Sequence, residues 1–128
     1  MPIDATAPYD DDNIFAKILR GEIPCTKRYE SNYAFAFDDI SPARPVHVLV
    51  IPKGEYVSMD DFSTRASDKE IAGLFRAVGE VARQCGVAES GYRIIANAGQ
   101  DGHQEVPHLH FHVVGGAPSG PMLKRLDS

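Results

Sequence analysis

The sequence predicts an α+β fold built on an antiparallel sheet, and three observations carry that expectation. One long segment, SDKEIAGLFRAVGEVARQCG (67–86), places Ile71, Leu74, Phe75, Val78, Val81 and Cys85 at helical spacing. Four shorter segments alternate or run apolar over strand lengths, bounded by Gly, Pro, Asn or Asp. The order is short helix, strands, long helix, strands, which suits one antiparallel sheet covered on a face by the long helix.

Residues 1–12 are polar and acidic with two prolines, and read as a flexible arm. Its acidic run at 10–12 reads as a solvated cluster. NIFAKILRGEIP (13–24) predicts a short helix capped by Asn13 and ended by Gly21, with Ile14, Phe15, Ile18 and Leu19 on one face. YAFAFDD (33–39) alternates Tyr33, Phe35 and Phe37 with Ala34 and Ala36, a strand pattern, and ISPARP (40–45) reads as a turn. VHVLVIPK (46–53) is β-branched and apolar on both faces, so it predicts a central strand. Ser67 and Glu70 have capping-box form at the start of the long helix, and Gly86 can end it. YRIIAN (92–97) is a strand, NAGQDGHQE (97–105) a loop, VPHLHFHVVGG (106–116) a further strand, and 117–128 an irregular tail. The folded domain is thus expected over 13–116.

The 128 residues carry 43% hydrophobic and 24% charged side chains, a globular composition for a single domain. A net charge of −5 argues against a nucleic-acid binder, while leaving room for a small anion at a local site. Cys25 and Cys85 form no CxxC pair and read as buried, reduced thiols of a cytoplasmic protein. The N-terminus has no secretory pattern, and no apolar run is long enough to span a membrane.

The chemistry concentrates in HLHFHVV (108–114), which holds three of the five histidines. On a strand of period two, His108, His110 and His112 share one face and Leu109, Phe111 and Val113 the other. Three readings compete. Two neighbouring histidines could share a metal ion, but the outer two have Cα atoms about 13 Å apart on a straight strand, awkward for one ion. A purely structural role would require partners for all three imidazoles. Nucleophilic attack on phosphorus suits the span better: a neutral central imidazole attacks through one nitrogen while flanking imidazoles donate to phosphate oxygens and orient it. The glycine-containing loop just upstream could turn backbone N–H groups toward an anion.

These residues resemble the histidine triad (HIT) family, whose signature is His-x-His-x-His followed by two apolar residues. NIFAKILRGEIP, FAFDDISPARPVHVLVIPK, GYRIIANAGQDGHQEVPHLHFHVVGG and the GPML tail are similar to its Hint branch, and GGAPSGPML to bacterial members. The resemblance implies a homodimer with about five strands per subunit, one long and one short helix, and a sheet continued across the dimer. It also implies cleavage of the P–N bond of purine nucleoside 5′-phosphoramidates, including nucleotidylated lysine, with no metal or other cofactor. His110 would be the nucleophile forming a nucleotidyl-histidine, His112 would contact phosphate and assist the leaving group, and His108 and His47 would form a supporting network. Asp39 would bind ribose hydroxyls, and Ile14, Phe15, Ile18, Phe37, Ile40 and Leu49 the base. Asn97, Gln104 and the backbone around residues 103–105 would lie on the phosphate side. Two departures stand out: His103 where the family usually has glycine or alanine, and Glu105 where eukaryotic members have serine. A dinucleoside polyphosphate hydrolase, a nucleotidyl transferase of the same family, and a nucleotide-binding regulatory protein are the alternative functions.

Overall fold

A computed structural model describes residues 3–126, so the outermost residues of the expected arm and tail lie outside the described residues. Five strands form one antiparallel sheet: β1 (Lys27–Glu30), β2 (Ala34–Asp38), β3 (Val46–Pro52), β4 (Tyr92–Ile95) and β5 (Phe111–Gly115), in the spatial order β1-β2-β3-β5-β4. β3 is central, as its two apolar faces require. Its partners are fixed by direct pairing of Phe37 with Leu49 on one side and of Leu49 with His112 on the other.

The pleat sorts side chains into two cores. Ala34, Ala36, Val48, Val50, Phe111 and Val113 face α3 (Asp68–Gln84), which covers them with Leu74, Ala77, Val78 and Val81. The small alanines of β2 let the helix approach. Gly73 is one point of tight contact, because a Cβ there would fall 2.7 Å from Cβ of Tyr33. The capping box at Ser67 and Glu70 forms at the start of α3, and Gly86, with φ of 75°, follows its end.

The opposite face carries Phe37, Leu49 and Ile51, which pack with Phe15 and Ile18 of α1 (Ile14–Leu19). Asn13 caps α1 by accepting from the backbone N–H of Ala16 at 2.9 Å, and Gly21 follows its end with φ of 77°. This second face holds the histidines.

Two elements carry no periodic signal in the sequence. β1 is a polar edge strand of four residues, and α2 (Met59–Arg65) buries only Phe62. Ser58 and Asp61 form a capping box at the start of α2, the one local signal that marks it. Cys25 is exposed in the link between α1 and β1 and Cys85 is half-buried, so the expectation of two buried cysteines fails at Cys25; both are free thiols. Among the described residues no helix is long and apolar enough to cross a membrane.

Candidate active site

The HLHFH segment is only partly a strand. β5 begins at Phe111, so His112 is paired in the sheet, opposite Leu49 and Ile95, while residues 106–110 lie outside the ladder. Pro107 has no N–H to donate, and the N–H of Leu109 bonds instead to the carbonyl of Tyr56 at 2.8 Å, in the connection after β3. The strand expected from residue 106 is therefore shortened to β5, but the alternation holds: Leu109, Phe111 and Val113 lie in the core against α3, and the rings of His108 and His110 meet Phe15 on the other side. The three histidines on that side form two separately supported groups.

The inner group is His108 with His110. His108 is fully buried, and its Nε2–H donates to the carbonyl oxygen of Pro52 at 2.9 Å. A carbonyl can only accept, so the proton sits on Nε2 and Nδ1 holds a lone pair. The hydroxyl of Tyr9 donates to that lone pair at 2.6 Å. His110 is 5% exposed, and its Nδ1–H donates to the backbone carbonyl of His108 at 2.8 Å. The same logic leaves Nε2 of His110 as the free, basic nitrogen. Phe15 of α1 stands edge-on to the ring, with centroids 5.0 Å apart, and fixes its plane. Burial pushes the His110 imidazole below its usual pKa and that of His108 down to about 4, so both stay neutral at ordinary pH.

The outer group is His112 with His47. The N–H of Ala43 donates to Nδ1 of His47 at 3.0 Å, which leaves the His47 proton on Nε2. That Nε2–H donates to Nδ1 of His112 at 2.9 Å. His112 must then carry its own proton on Nε2, where it can be offered to a ligand. Burial, together with the neighbouring His110 and His47, lowers its pKa to about 4. Asp39 closes this group. One carboxylate oxygen accepts from the N–H of Ser41 at 2.8 Å, and the other lies 3.4 Å from Nε2 of His47. His47 and His108 each support a different imidazole: His47 bonds His112, and the carbonyl of His108 bonds His110. The two groups meet where the rings of His110 and His112 approach with centroids 5.2 Å apart.

Asp39, His47 and His112 bring three possible metal-ligating atoms within 4.8 Å of one another. Two of those atoms, Nε2 of His47 and Nδ1 of His112, already face each other across a hydrogen bond. An ion there would have to replace the hydrogen bond that joins the two rings.

The other expected residues spread around this centre. Phe15, Ile18, Phe37 and Leu49 form the apolar wall beneath His110, whereas Ile14 is 44% and Ile40 95% exposed. Asn97 and His112 line a cleft of about 300 Å³ with Arg44, His47, Arg93 and Ile95, the lower end of ligand-site volumes. A larger cavity, about 520 Å³ between residues 90–93 and 116–119, contains none of the histidines.

Gln104, expected on the phosphate side, turns its side chain inward. Its amide donates to the carbonyls of Val57 and Val106 and accepts from the N–H of Gly99, so it braces the loop. Gly102 closes that loop tightly, since a Cβ would sit 2.6 Å from the carbonyl oxygen of Ala98. His103 follows with φ of 58°, a left-handed conformation that suits glycine and costs a histidine about 1 kcal/mol. Its side chain and that of Glu105 are exposed, with 3.7 Å between Nε2 and the carboxylate.

Sequence reasoning missed Tyr9. Nothing in its polar surroundings signals that its hydroxyl reaches a histidine 99 residues away. Comparison with known proteins agrees with the geometry. The HIT domain model matches residues 20–119. A HIT-like protein of Azospirillum brasilense is 64% identical over 91% of this chain and 96% of its own. The purine nucleoside phosphoramidase of Escherichia coli is 41% identical over 88% of this chain and 94% of its own. Among solved structures, a HIT family hydrolase from Clostridium thermocellum aligns with a TM-score of 0.82 at 37% identity, covering 90% of this chain and 99% of that one. With the histidine triad in place on a five-stranded antiparallel sheet, the chain belongs to the HIT domain family.

Proposed function

We propose that this protein hydrolyses the P–N bond of purine nucleoside 5′-phosphoramidates through a nucleotidyl-histidine intermediate on His110. The observation that carries the reading is the tautomer of His110: Nδ1–H is tied to a main-chain carbonyl, which leaves an unprotonated Nε2 beside the Nε2–H of His112. That is a nucleophile and a hydrogen-bond donor side by side, as phosphoryl transfer needs. The named activity of the Escherichia coli relative supports the choice of a P–N bond.

In the first step Nε2 of His110 forms a bond to phosphorus as the P–N bond breaks. The departing nitrogen takes up a proton from solvent and leaves as the amine, while the neutral His112 keeps its Nε2–H and donates a hydrogen bond to the reacting group. In the second step water attacks phosphorus, the P–Nε2 bond breaks, the nucleoside monophosphate leaves, and the proton lost by the water returns to solvent. The Nδ1–H of His110 stays on its carbonyl throughout and spreads the positive charge that the ring gains. Asp39 at the mouth of the His47–His112 group is suited to accept ribose hydroxyls, and the Phe15, Ile18, Phe37 and Leu49 wall to take a purine face. Asn97 and the backbone of residues 103–105 lie toward the phosphate. A fluorogenic adenosine 5′-phosphoramidate, assayed beside a diadenosine polyphosphate, tests the reading. Rapid release of the amine is expected, undiminished by EDTA. Cleavage of the polyphosphate alone would move the function to the alternative hydrolase.

The protein is further proposed to work as a homodimer in the cytoplasm. β4 is an edge strand that leaves Tyr92 and Ile94 37% and 47% exposed, and Phe75 of α3 is 47% exposed. Open edges with apolar side chains are paired or covered in stable proteins. Size-exclusion chromatography is expected to give twice the 14.0 kDa chain mass, and Ile94→Lys to shift elution to the monomer.

A further inference from the structure

We propose that Tyr9 is a positioning residue for the His108–His110 pair: its hydroxyl holds His108 in one tautomer and so steadies the carbonyl from which the nucleophile hangs. The inference rests on the reading of His110 as nucleophile and adds a residue to it from the N-terminal arm.

The geometry leaves little choice of roles. Nε2 of His108 must donate to the carbonyl of Pro52, so its Nδ1 is an acceptor inside a fully buried ring. The Tyr9 hydroxyl, 2.6 Å away, is the partner of that atom. The Tyr9 ring also meets the His108 ring edge-on, with centroids 5.6 Å apart. Burial raises the Tyr9 hydroxyl above its ordinary pKa, so it remains a proton donor across the working range. With both nitrogens tied, the ring can neither turn over nor exchange tautomers. The carbonyl of the same residue is the acceptor for Nδ1–H of His110, so motion of residue 108 passes directly to the nucleophile.

A simple anchoring role for Tyr9 fits less well, because the arm is tied on both sides of it. The carbonyl of Ala5 accepts from the Ser58 hydroxyl at 3.0 Å. The carbonyls of Asp10 and Asp11 accept from the side chains of Asn13 at 2.8 Å and Arg20 at 2.9 Å. The arm has its own fastenings, and the Tyr9 side chain ends on the histidine pair.

The experiment compares wild type with Tyr9→Phe, which keeps the ring and deletes the hydroxyl. Nitrogen-15 NMR of the imidazoles reads the tautomers of His108 and His110, and kinetics with adenosine 5′-phosphoramidate reads turnover. Wild type is expected to show one Nε2–H form for His108 and one Nδ1–H form for His110. In Tyr9→Phe the His108 signals should report mixed or exchanging forms and the His110 Nδ1–H signal should shift. The kcat should fall about tenfold with KM within about twofold, the pattern of a misplaced reacting group. Unchanged signals for both histidines, or a kcat within twofold of wild type, would overturn the proposal. If wild type does not cleave the phosphoramidate, the functional reading fails, and the tautomer comparison alone decides the role of Tyr9.

Discussion

His110→Ala is expected to remove turnover of a nucleoside phosphoramidate, by on the order of 10⁴-fold or more, while nucleotide binding and the fold persist. The ring supplies the only bond to phosphorus in the proposed first step, and neither neighbour can replace it. His112 presents a protonated Nε2, since its Nδ1 is occupied by His47. His108 has both nitrogens engaged, with Pro52 and Tyr9. The variant should therefore lack any substitute nucleophile. Binding should survive because the apolar wall at Ile18, Phe37 and Leu49 does not depend on the imidazole. Single-turnover kinetics with equilibrium binding of a nucleoside monophosphate separates the two effects. Retained turnover near the wild-type rate would refute the assignment of His110.

Acid is expected to unfold the protein earlier than its carboxylates alone would cause, with His108 as the main reason. The sign follows from the two states. In the folded chain the buried His108 stays neutral down to about pH 4, whereas in the unfolded chain it protonates near 6.5. Between those values the unfolded state binds the extra proton, so folding stability falls as pH drops through that window and is unaffected above it. The difference amounts to about 3 kcal/mol for His108, a large part of a typical domain's stability. His112 titrates in the same direction, but its partial exposure reduces its share. Denaturant melts at pH 7 and pH 4.5 measure the loss. Wild type should lose more than His108→Asn, while the carboxylates common to both cancel. Equal losses in the two proteins would remove His108 as the cause. Enzymatic turnover should persist somewhat below pH 6.5, because burial keeps the His110 nitrogen unprotonated there.

The parts of the fold that write themselves into the sequence are those with repeated, one-sided patterns. Ser67 and Glu70 announce α3, the alternation of Phe35 and Phe37 with Ala34 and Ala36 announces β2, and the double-faced run at 46–52 announces a central strand. Short elements with one buried residue or none do not: β1 is all polar or exposed, and α2 rests on Phe62. The histidine segment misled in a specific way. Alternating His and apolar residues is also what a strand shows, but Pro107 and the bond from Leu109 to Tyr56 hold the first half off the ladder. The alternation still sorts the side chains correctly, with Leu109, Phe111 and Val113 in the core and the histidine rings on the side of Phe15, but it does not show that His108 is buried while His112 meets the cleft. Partners such as Tyr9 and the Pro52 carbonyl leave no periodic trace, because one hydrogen bond between distant residues needs only a single suitable atom at each end. Gln104 illustrates the converse: its place in the glycine-containing loop was legible, but not that its amide faces inward to hold Val57 and Val106.

The proposed nucleophile is suspended from main chain, whereas its neighbour is suspended from a side chain. Point mutation cannot delete the carbonyl of residue 108, so drift at that position degrades the aim of His110 gradually. His112 enjoys no such protection, since replacing His47 strips its Nδ1 partner in one step. The two halves of the centre thus differ in mutational robustness. Substitution at residue 47 therefore acts first on His112, while the carbonyl that holds Nδ1 of His110 stays in place.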